Sequence, residues 1–156
     1  MTPPKGRLLM TIRSAEGELL DSRSSRNIVL RKGAELIAAL FSGQSKTSID
    51  RVRVGFGTSV ADEDVVALTP PPTPIEAALL EAPLESGDFT VAAEGDNAIT
   101  VRVAAKFTPQ ADIPDVSEAG LLAGNVLYNQ VVFEPVTLRK GQDITFFWQI
   151  DFPFGR

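Results

Sequence analysis

The chain has 156 residues, with 44 % hydrophobic residues and a net charge of −5, and it contains neither cysteine nor histidine. This length supports one domain with its own core, and this hydrophobic fraction excludes wholesale disorder. Without histidine or cysteine, Ser-His-Asp catalysis, Cys-His catalysis and the usual zinc sites are excluded, so a non-enzymatic protein is expected. The 23 glycines and prolines favour many short elements joined by turns.

In chain order, Thr2–Lys5 (TPPK) is a stiff lead, and Arg7–Arg13 (RLLMTIR) is apolar and β-compatible. Gly17 suggests a hairpin-like turn between Ile12 and Leu19. Residues 22–26 (SRSSR) are polar and basic and are expected to be a loop. Leu36, Ile37, Leu40 and Phe41 fall at helical spacing, with Gly43 at a C-terminal cap position, which predicts one short helix over about 32–42. Its wide apolar stripe is expected to pack on a sheet.

Residues 49–54 (IDRVRV) alternate as a strand, ended by Gly55 and Gly57. Pro70–Pro74 break regular structure, and Ile75–Ala82 reads as a helical turn or an edge strand. Phe89–Ala92 and Ala98–Phe107 form a strand pair around Gly95, Asp96 and Asn97. Asp112–Gly120 reads as a polar loop. Leu127–Phe133 and Asp143–Phe152 carry the strongest strand signals, with a turn at Gly141. In the last strand Ile144, Phe146, Trp148, Ile150 and Phe152 share one face, opposite Thr145, Phe147, Gln149 and Asp151.

The expected fold is therefore mainly β: an antiparallel β-sandwich or curled sheet of six to eight strands with one short helix. Residues 1–26 are expected to be an extended N-terminal arm with a possible hairpin, and 27–156 a single β-rich domain. No stretch has signal-peptide or membrane-spanning length, so a cytoplasmic origin without membrane contact is expected.

Charge is unevenly spread. Residues 1–53 carry net +5 and residues 54–156 net −10, so the molecule is either two-sided in charge or mixes these charges in space. Arg7, Arg13, Arg23 and Arg26, with Phe152 and Phe154 near the other end, are the candidate interface residues. Aromatics are absent before Phe41 and the whole chain is acidic, which favours a protein partner over nucleic acid for the basic segment.

Gly55-Phe56-Gly57-Thr58-Ser59 lacks the remaining glycine of a nucleotide loop and reads as a tight turn. Asp62-Glu63-Asp64, and Asp112 with Asp115 and Glu118, lack calcium-loop spacing and read as solvated or ion-paired acids. Glu118 is expected to pair with an arginine or to accept from backbone N–H groups. No cofactor, metal or small-molecule substrate is expected. A carboxylate-based glycosidase would need two acids in one cleft. A carbohydrate or cell-surface binding module would have to rely on Phe56, Phe89 and Tyr128.

Three ordered stretches carry a resemblance: residues 27–43 (NIVLRKGAELIAALFSG), 49–58 (IDRVRVGFGT) with Leu68, and 116–122 (VSEAGLL) followed by 127–136 (LYNQVVFEPV) and 144–152 (ITFFWQIDF). This set, covering about residues 27–152, resembles small virion structural proteins of tailed bacteriophages. The resemblance implies a structural subunit of the particle, made in the host bacterial cytoplasm. Its partners would be copies of itself and other virion proteins, with a tail position favoured over capsid decoration. It also implies that Asn27, Gly33, Gly55, Gly57, Glu118, Gly120 and Trp148 determine the fold. The resembled proteins carry an arginine where this chain has Gln130, so any pairing of that position with the acid at Glu118 is altered here.

Overall fold

A computed structural model describes residues 5–59 and 61–155. Ten strands form: β1 (Lys5–Arg13), β2 (Leu19–Val29), β3 (Arg51–Gly55), β4 (Glu81–Pro83), β5 (Phe89–Glu94), β6 (Ala98–Phe107), β7 (Ile113–Ala123), β8 (Val126–Leu127), β9 (Asn129–Leu138) and β10 (Asp143–Pro153). The α-helix among the described residues is α1 (Arg31–Phe41). Short 3₁₀ turns at Ala77–Leu80 and Ser86–Asp88 flank β4.

Nine strands lie on one antiparallel path, β4-β3-β7-β9-β2-β1-β10-β6-β5, and β8 pairs with β7. The path curls into a half-barrel. It bends where β2 meets β9, which are matched only at Ile28–Gln130 and Val29–Asn129. Beyond that corner the strands diverge, and side chains bridge the gap: Ser25 Oγ donates to Val132 O at 3.1 Å and Arg23 Nε to Glu134 O at 3.4 Å. The curl makes two layers, one of β2, β1, β10, β6 and β5, the other of β4, β3, β7 and β9.

Alternation decides what each layer contributes to the core. Leu8, Met10 and Ile12 of β1, Val103, Ala105 and Phe107 of β6, and Ile144, Phe146, Trp148 and Ile150 of β10 point inward. They meet Val52 and Val54 of β3, Ala119 and Leu121 of β7, and Val131 and Leu138 of β9. Phe146 stacks on Trp148 at 5.8 Å and meets Phe107 edge-on at 6.3 Å. A second, small cluster of Leu30, Leu122 and Leu127 lies on the far side of the second layer, with Val65 and Leu68 packed against it.

Mainly-β architecture, antiparallel pairing, the single short helix and the turns at Gly17, Gly95 and Gly141 match expectation, and all three turn glycines have positive φ. Five expectations are corrected. The sheet has ten strands, because two short pairings, β4 and β8, escape periodicity. Residues 22–26 are strand, not loop: β2 is an exterior strand whose polar residues face solvent on one side and the splayed corner on the other. Residues 113–120 are not a polar loop but part of β7, which from Val116 to Ala123 is buried on both faces and so shows no alternation there.

The N-terminal segment is not a detached arm. Residues 5–26 are a hairpin whose first strand lies mid-sheet, paired to β10 from Lys5–Asp151 to Arg13–Asp143 and to β2 on its other side. Deleting residues 1–25 would remove Leu8, Met10 and Ile12 from the core. Residues 1–4 lie outside the described residues. The helix also departs from expectation, because Gly33 and Leu36 are its buried residues and Phe41 is 94 % exposed.

Candidate functional site

The second layer is covered on its outer side by α1 and by the long segment between β3 and β4. Glu118, on β7 and fully buried, holds that cover in place. Its Oε1 accepts from the backbone N–H of Gly57 and of Thr69, both at 2.8 Å, and its Oε2 accepts from Gln130 Nε2 at 2.5 Å. Ser117 Oγ donates to Gly57 O at 2.5 Å. The carboxylate thus takes backbone donors and an amide, with no arginine among these partners. Such an arrangement stabilises a buried acid by satisfying its lone pairs.

The glycines nearby permit close approach. A Cβ on Gly57 would stand 2.5 Å from Thr69 Oγ1 and 2.8 Å from Glu118 Cδ, and one on Gly55 would stand 2.7 Å from Glu118 Oε1. A Cβ on Gly33 would stand 2.1 Å from the carbonyl oxygen of Tyr128, so glycine lets the first turn of α1 sit directly on the chain entering β9. Gly120 is similarly close to Asn129 O. Asn27 lies in β2 opposite Gly6, its buried side-chain amide has no hydrogen-bond partner among the described residues, and the helix cap position is Leu30. Trp148 lies at the centre of the core. Six of these seven residues are buried and Gly57 is half-buried.

The candidate interface residues do not form one patch. Arg7 and Arg26 lie directly opposite each other on the outer side of the first layer. Arg13, at the end of β1, donates to Gly17 O at 3.1 Å. Arg23 turns the other way and is engaged by Asp21 at 2.5 Å and by Glu134 O. Phe152 is half-buried against the core, while Phe154 is 52 % exposed and its N–H donates to Asn97 O at 2.8 Å.

The two edges of the sheet differ. β4 is three residues long, ends in Pro83 and lies between 3₁₀ turns. Its Glu81 is gripped by Arg51 at 3.1 Å and by Arg53 at 2.5 Å. Burial pushes the Glu81 carboxyl up, but the two guanidinium groups outweigh it and hold the group below its ordinary value. At the opposite edge, β5 runs Phe-Thr-Val-Ala-Ala before its first charge, packs on β6 among the regular elements, and leaves Val91 67 % exposed. Ile99 and Phe152, paired across β6 and β10, continue an apolar strip from Val91 towards Phe154.

Sequence reasoning missed Leu9, Val91 and Phe147 as surface residues. Phe147 stood out as the one aromatic on the polar face of β10, and the alternation of Leu8, Met10 and Ile12 already set Leu9 apart.

Among the described residues, no group of three or more acidic side chains is gathered to hold a metal ion. Glu63 and Asp64 pair with Arg31 at 3.4 and 2.7 Å, and the hydrogen bond and charge of Asp64 raise the arginine's pKa further above its ordinary value. Asp112 accepts from Lys140 N at 2.9 Å and lies 3.6 Å from Arg139, whereas Glu118 is interior. Phe56 and Tyr128 are buried and Phe89 is half-buried, so these three aromatics offer no flat sugar-stacking surface. Burial raises the pKa of the Tyr128 phenol. No helix among the described residues is long and apolar enough to cross a membrane. No protein-family model matches the chain, and no curated protein or solved structure matches it.

Proposed function

We propose that the chain is a structural subunit of a tailed-phage particle, tail-associated in preference to capsid-decorating, that assembles with copies of itself and with other virion proteins. The phage assignment rests on the sequence resemblance over about residues 27–152. Assembly is supported by a single observation, the edge strand β5, uncharged from Phe89 to Ala93 and uncovered among the described residues, with Val91 exposed and an apolar strip beside it.

An unpaired strand edge presents a row of backbone donors and acceptors, and soluble proteins normally blunt such edges with charge, proline, bulges or brevity. β4 carries three of those devices and β5 none before Glu94. Addition of a strand from a neighbour would satisfy the β5 backbone and cover Val91.

Light scattering after size exclusion tests this on the full chain. A discrete oligomer that Val91→Lys reduces to monomer is the expected result. An oligomer of unchanged mass in Val91→Lys, or a wild-type monomer that purified particle components do not recruit, overturns it.

A further inference from the structure

The solvent side of the first layer carries two adjacent rows that its own core does not need. In one row Arg26 of β2 lies opposite Arg7 of β1, Arg7 opposite Gln149 of β10, and Gln149 opposite Arg102 of β6. In the next row Leu9 lies opposite Phe147, the two being 42 % and 43 % exposed. Arg7, Gln149, Arg102, Leu9 and Phe147 line a shallow groove of about 510 Å³, and Arg26 stands beside it, opposite Arg7. Directly opposite residues on a strand pair have Cβ atoms about 5 Å apart, and like charges so placed repel. Neither Arg7 nor Arg26 has an acidic partner among the described residues. Two guanidinium groups beside a large apolar pair would bind a carboxylate-rich segment that also carries an apolar side chain.

The chain displays such a segment on its other side. Asp62, Glu63 and Asp64 are exposed, and Val66 beside them is exposed as well. Arg31 offsets part of their charge without covering them. This segment belongs to the cover of the second layer, whereas the arginine row lies on the outer side of the first, so the core separates the two surfaces.

We propose that the groove lined by Arg7, Leu9 and Phe147, with Arg26 beside it, docks the acidic 62–66 segment of a second copy of this chain. The proposal rests on the view of the chain as an assembling subunit and names a second contact, distinct from the β5 edge. A contact between unlike surfaces on opposite sides is heterologous, and its repetition gives a ring or a filament. A nucleic-acid ligand fits less well, because the groove has an apolar floor, Asp88 lines it, and the chain is net −5.

Charge exchange on the full-length protein tests the contact. One variant carries Arg7→Glu and Arg26→Glu, the other Glu63→Lys and Asp64→Lys. All four side chains are exposed, and circular dichroism would verify the fold of each variant. In about 50 mM salt, at protein concentrations where the wild type associates, each variant alone should lose at least tenfold in association constant, and an equimolar mixture should recover it.

Variants that associate as well as the wild type overturn the groove contact while leaving assembly through β5 intact, since Val91→Lys reports on that edge separately. A wild type that stays monomeric overturns the self-contact. Salt-sensitive retention of a 20-nucleotide single strand, lost in Arg7→Glu/Arg26→Glu with protein mass unchanged, would replace the second copy by nucleic acid.

Discussion

The two layers of the half-barrel use the same antiparallel pairing but finish their outer sides in opposite ways. The layer containing β3, β7 and β9 is covered by α1 and by the segment tied to Glu118, so β7 is buried on both faces from Val116 to Ala123. The layer containing β1, β10 and β6 is bare and leaves Leu9 and Phe147 exposed beside Arg7 and Arg26. A cover needs donors and acceptors for its irregular backbone, and a buried carboxylate supplies the acceptors. Among the described residues the bare layer has no such anchor.

Adjacent residues of β10 give the sharpest contrast. Trp148→Ala empties the centre of the core and should cost about 3–5 kcal/mol in urea unfolding. Its neighbour Phe147 faces solvent, and Phe147→Ser is the matching control at the low end of the scale.

The covered layer breaks next at Glu118. Glu118→Ala removes the acceptor for Gly57 N, Thr69 N and Gln130 Nε2, and unsatisfied buried groups cost about 1–3 kcal/mol each, so a loss of about 3 kcal/mol is expected. Hydrogen exchange should locate the effect. Amides of residues 56–69 should lose protection before those of β1 and β10, and a uniform loss across both layers would refute the anchoring role.

A smaller effect is expected at the protected edge. The Glu81 carboxyl is held below its ordinary value by Arg53 and Arg51, so it binds protons more weakly folded than unfolded. Its contribution is complete above the unfolded glutamate pKa and is lost as pH falls through the lower folded value. Glu81→Gln should cost about 1–2 kcal/mol near neutrality. The difference from wild type should shrink as pH falls below the ordinary glutamate range, and a difference independent of pH there would refute the charge contribution.

The smallest change is expected on the bare face. Phe147→Ser and Leu9→Ser should each move stability by no more than about 0.5 kcal/mol, since neither belongs to the core. A loss comparable to that of Trp148→Ala would show that this face is an internal surface.

Legibility in the sequence followed this same division. β10, β6 and the hairpin turns were readable because one face of each strand is apolar and the other polar, which imprints a period of two. β7 was not readable, because with core on one side and α1 with its loop on the other it carries no period. β2 was missed for the converse reason: its polar residues face solvent and the open corner, so nothing distinguished it from a loop. Gly33, Gly55 and Gly57 were legible as special positions, but their partners, Tyr128 O, Glu118 and Thr69, lie far along the chain.

By itself, then, the sequence determined the β class, the single helix, the hairpin turns and the inward face of the alternating strands, all of which depend on neighbours within a few residues. Only the tertiary structure decided that the basic N-terminal segment is a mid-sheet hairpin, that Glu118 anchors a distant loop, that β4 is blunted while β5 is open, and that Arg7 meets Arg26 beside Leu9 and Phe147. Each of those depends on strand order and register, which are set by closure of the whole sheet around one core and leave no local period to read.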